Sequence, residues 1–79
     1  MSYIDAMMNL ATLLDLDVVS HCQIEPQLKM LERFSSEETV GRIIANKIQL
    51  FAGRALEHGH HDVAELLSHW HQQKFALAA

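Results

Sequence analysis

Residues 35–62, SSEETVGRIIANKIQLFAGRALEHGHHD, decide the fold. Ser35 stands three residues before Glu38, the spacing of a capping box, and Glu37 and Glu38 place acids in a first helical turn, where the backbone dipole favours them. A helix is expected from about Glu37 to Glu57, a span free of proline in which Ile44, Ile48, Phe51 and Ala55 recur at helical spacing. His58-Gly59-His60-His61-Asp62 then reads as a turn, because Gly59 can take a positive φ at a helix C-cap. A further helix is expected from about Asp62 to Phe75. Val63, Leu66, Leu67 and Trp70 draw its apolar stripe, with His61, Glu65, Ser68, His69 and Gln72 opposite. Two helices joined by a tight turn make an αα-hairpin, and this one forms the C-terminal half of the chain.

Upstream, Leu28, Met30, Leu31 and Phe34 make a short apolar segment ending near Phe34, with Pro26 suited to the first turn of its helix. His21-Cys22-Gln23 reads as the first connection. The first helix is expected to start at Ser2 as N-cap and run to about Val19, although Asp15 and Asp17 oppose the dipole there and allow an earlier end or a kink. At about 100° per residue, Ile4, Met7, Met8, Ala11, Leu14 and Val18 share one of its faces. Leu10 and Leu13 lie well round the cylinder, and only Asp5, Asn9 and Thr12 make a clear polar strip. A helix apolar over most of its circumference must be enclosed, and a chain of 79 residues has few other elements to do it. A second protein surface is therefore expected against this helix. The tail Ala76 to Ala79 should fray. No run alternates apolar and polar residues, so no strand is expected. Residues 1–79 read as one all-α domain, a small bundle of three to four helices.

Composition narrows the function. Half of the residues, 49%, are apolar and 20% charged, which suits a globule and not a disordered chain. A single cysteine excludes an internal disulfide and favours a reducing compartment. The N-terminus shows no basic stretch followed by an apolar core and a small-residue cleavage site, so no signal peptide is expected. Asp15 and Asp17 interrupt the first apolar segment well before the roughly 20 residues a membrane span needs. The expectation is a cytoplasmic protein without a membrane partner. Ten acids against six bases give a net charge of −4, and residues 1–28 hold four acids and no Lys or Arg. Nucleic acid is not an expected ligand, since it is bound through basic patches.

Ile48, Phe51, Ala52, Ala55, Gly59 and Ala64 follow the spacing of small and apolar positions in a tetratricopeptide helical hairpin, and residues 48–71 resemble a single such unit. The likeness lies in the glycine turn and in Ala52 and Ala64, where small residues let two helices approach closely. It departs at Ser68 and His71, where the family places a bulky apolar residue and a small one. The resemblance implies a peptide- or protein-binding adapter and carries no site residues over.

Six histidines are unusual in so short a chain, and five fall between His58 and His71. His61, Glu65 and His69 are spaced i, i+4, i+8 on one helical face, with His58 and Asp62 close by in the turn. A His and a carboxylate one turn apart can chelate zinc or a similar divalent ion. Three residues over two turns span about 12 Å, so one ion would need a further ligand from another helix or subunit. The face also lies opposite the apolar stripe, where polar residues belong in any case. No metal or other cofactor is the primary expectation, with a zinc site at His61, Glu65 and His69 as the alternative. Cys22 beside His21 does not make a nucleophile, which needs an aligned base and an oxyanion site in a cleft. No Gly-rich phosphate loop, His-Glu-x-x-His or Gly-x-Ser-x-Gly pattern occurs, so no enzyme is expected.

Val40, Lys47 and Arg54 recur every seven residues and point almost the same way, so two cations interrupt the apolar side of the third helix. Either they snorkel between two packing seams or they meet carboxylates, Asp15 and Asp17 of the first helix or acids on a partner. Met7, Met8 and Met30 sit on or beside apolar faces as core residues or as an adaptable binding surface. Together these features point to a small protein-binding regulator, inhibitor, adapter or chaperone-like module. It is expected to be a homodimer with the first helix at the interface, and Met7, Met8, Leu14, Lys47 and Arg54 are its candidate partner-binding residues. The alternative is a metal- or pH-responsive helical regulator using the His58–His71 cluster.

Overall fold

The computed structural model describes residues 2–75. Four helices follow one another: α1 (Tyr3–Leu14), α2 (His21–Glu32), α3 (Glu38–Glu57) and α4 (His61–Phe75). They form two hairpins, α1 against α2 and α3 against α4, with further packing of α1 on α3 and of α2 on α4. The all-α fold with its C-terminal αα-hairpin is as the sequence implies.

Helix α1 starts where expected. Ser2 caps it through a box with Asp5, whose carboxylate accepts the Ser2 N–H at 3.1 Å. It ends at Leu14 and not near Val19. The next amides turn tightly, Asp15 N–H donating to the Thr12 carbonyl and Leu16 N–H to that of Leu13. Asp15 is the C-cap, at the end where the dipole opposes an acid, and the Arg54 guanidinium 2.8 Å away offsets its charge.

The first connection is residues 15–20, and His21-Cys22-Gln23, expected to be that connection, instead form the first turn of α2. The physical reason is a cap: the Ser20 N–H donates to Gln23 Oε1 at 3.0 Å, satisfying a donor that the helix start leaves orphaned. Pro26 consequently lies at the sixth position of α2 and not in its first turn. Its missing N–H leaves the Cys22 carbonyl without the usual helical donor, on a side of the helix where both residues are exposed.

Between α2 and α3 the expected Ser35–Glu38 box is replaced by successive turns. Ser35 Oγ donates backwards to the Glu32 carbonyl at 3.0 Å, and Glu37 is the N-cap of α3 without a side-chain bond. This turn presses on α3 at Gly41, where a Cβ would lie 2.5 Å from the Ser35 carbonyl oxygen. A glycine is needed there for close approach. The α3–α4 turn is as the sequence implies: Gly59 has φ +80°, the His60 N–H reaches the Ala55 carbonyl at 2.8 Å and the Gly59 N–H that of Leu56 at 3.0 Å. These are the two bonds of a Schellman motif.

One core joins both hairpins. Leu10 and Leu14 of α1, Ile24 and Leu31 of α2, Ile44 and Ile48 of α3, and Val63 and Leu67 of α4 are its fully enclosed large side chains. Ala52, Ala55 and Ala64 are buried as well, small residues that let α3 and α4 approach. The Tyr3 ring packs at a tilt against that of Phe34, just before α3, with ring centroids 5.8 Å apart, while Asp15 after α1 bonds Arg54 near the end of α3. Helices α1 and α3 therefore run in the same direction. Glu32 pairs with Lys74 at the far ends of α2 and α4. The expected fraying of Ala76–Ala79 falls outside the described residues.

Candidate partner-binding surface

The face of α1 turned inward differs from the one expected. Ala6, Met7, Leu10 and Leu14 are buried, while Ile4 is 51% and Met8 63% exposed. The centre of the buried arc is rotated by roughly 110° from the face through Ile4, Met8 and Ala11. The reason lies in the neighbours, because α2 and α3 flank α1 on two sides and take Leu10 and Leu13 into the contact. Of the candidate partner-binding residues on this helix, Met7 (9% exposed) and Leu14 (0%) are core residues, and in this conformation they present no surface to a partner. Met8 does.

On α3 the core line is Gly41, Ile44, Ile48, Ala52 and Ala55. Lys47 and Arg54 lie well off it and are exposed, so they do not interrupt a buried face. On the far side Ile43 is 39% and Leu50 64% exposed, with Lys47 and Arg54 between this apolar pair and α1. The sequence shows Ile43 and Leu50 at helical spacing, but their spacing alone reads as one flank of a wide apolar face. Only the position of α4 makes them the outside.

Arg54 donates to Asp15 Oδ1 twice, from Nε at 3.1 Å and from Nη2 at 2.8 Å, and His58 Nε2 lies 3.5 Å from the same oxygen. The Arg54 and Asp15 side chains remain about half exposed, at 48% and 51%. An ion pair so open to water contributes about 0–1 kcal/mol. His60, in the α3–α4 turn, places Nε2 2.8 Å from the Leu16 carbonyl, and the His58 and His60 rings stack at 6.2 Å. The sequence carries no signal for the His60 contact, which depends on the α1–α2 loop folding over the turn. Beside this junction Lys47, Leu50, Phe51, Arg54, Glu57 and His58 line an open depression of about 440 Å³. Its walls offer cationic and apolar contacts together.

The histidine-rich segment is divided. Glu65 and His69 line a cleft of about 250 Å³ with His21, Asp62 and Leu66, whereas His61 faces a separate hollow with Leu56, Ala64, Glu65 and Ser68. Among the described residues no group of three or more His, Cys, Asp or Glu side chains is placed to hold one ion. His61 and His69 are both exposed, as is Cys22. No helix of the described residues is long and apolar enough to cross a membrane. No protein-family model, curated protein or solved structure matches the chain.

Proposed function

We propose that this chain is a small, non-enzymatic protein-binding module of the cytoplasm, acting as a regulator or adapter by covering an apolar surface of a partner. The observation that carries the reading is the joint exposure of Ile4 and Met8 on α1 and of Ile43 and Leu50 on the parallel helix α3. Each is already part-buried, so covering it contributes about half of the roughly 1.5–3 kcal/mol that full burial of such a side chain supplies, and the set makes an apolar anchor for an interface. Lys47 and Arg54 add cations beside that apolar surface, which favour the encounter and fix its orientation more than they add affinity. The set lies apart from the core, since Leu14 and Ile48 already hold the fold.

A photo-crosslinking residue placed at position 50, in the cells the protein comes from, tests the reading. The expected result is a discrete protein adduct from position 50 or position 8 and none from the exposed polar position Gln73. Equal, diffuse labelling from all three sites would remove the proposal.

A further inference from the structure

We draw no further inference here: the strongest candidate, the exposed apolar face that Ile4 and Met8 of α1 form with Ile43 and Leu50 of α3, belongs to the surface already described, and nothing in the structure shows what covers it.

Discussion

The two helix–helix connections that meet at one end of the bundle are built on different principles. The α3–α4 turn is three residues long and held by its own backbone, through the positive φ of Gly59 and the His60-to-Ala55 and Gly59-to-Leu56 hydrogen bonds. The α1–α2 connection, residues 15–20, is twice as long and leans on the other hairpin, through Asp15 to Arg54 and the Leu16 carbonyl to His60. A backbone-locked turn is rigid wherever it is placed, whereas a loop held by exposed side chains is ordered only while its support is in position. The second hairpin is the scaffold and the first is fastened to it.

The largest expected effect tests what does the fastening. Leu14 is fully buried at the end of α1, whereas Asp15 beside it is half exposed. Leu14→Ala should destabilise the fold by about 2–5 kcal/mol in urea unfolding, since it removes core contacts and leaves a cavity. Met8→Ala, on the outer side of the same helix, should stay within about 0.5 kcal/mol under conditions where the chain is a monomer. Equal effects at the two sites would mean that α1 is not buried along the Leu10–Leu14 line.

Next comes the backbone-locked turn. Gly59→Ala forces an L side chain into the left-handed region and should cost about 1–2 kcal/mol. Nothing lies within 4 Å of a Cβ built at this site, so the loss would be conformational and not steric. Asparagine, which tolerates that region better, should recover part of it. A neutral Gly59→Ala would show that the turn is less fixed than the connection it supports.

A smaller effect belongs to the side-chain fastening. Arg54→Ala should cost about 0–1 kcal/mol, and less still at high salt, because both partners of the pair are open to water. Residues 15–18 should then exchange their amide hydrogens faster, while Val19, packed against the core, and the amides of α3 and α4 keep their protection. If Arg54→Ala instead costs as much as Leu14→Ala, the ion pair is an anchor and the contrast between the two connections collapses.

How far the sequence reveals this depends on whether a feature is local. The hairpin of α3 and α4 is legible because Gly59 and the periodic apolar residues act within a few positions of themselves. A comparable local signal marks the start of α2, Ser20 followed by Gln23, but Val18 and Val19 extend the apolar run of α1 up to it, and hydropathy alone carries that helix too far. The face of α1 was not legible at all. When a helix is apolar over most of its circumference, its neighbours decide which arc is buried, and the sequence does not say where they pack. For the same reason Met7 and Leu14 read as equivalent to Met8, although the fold buries two of them and exposes the third. On α3, Lys47 and Arg54 read as breaks in a core face, yet they mark its border.

The smallest expected effect separates the histidines that join the two connections from those that do not. His60 touches the Leu16 carbonyl, whereas His61 and His69 stand on the solvent side of α4, away from Val63, Leu67 and Trp70. Replacing His61 and His69 together with glutamine should therefore change stability by no more than about 0.5 kcal/mol, the range of ordinary surface substitutions. Their residue types still permit metal binding, so the measurement is made twice, with zinc and with a chelator. A melting temperature raised by zinc, lowered again by the chelator and indifferent to both in the double variant would show that an ion draws these side chains together. In that case the first-turn residues of α2 and α4, His21 and Asp62, are the nearest source of further ligands, because they line the same cleft as His69. Indifference to zinc in both proteins is the expected result, and the histidines with contacts to lose are then His58 and His60, at the seam between the two hairpins, and His71, whose ring lies 5.4 Å from that of Phe75.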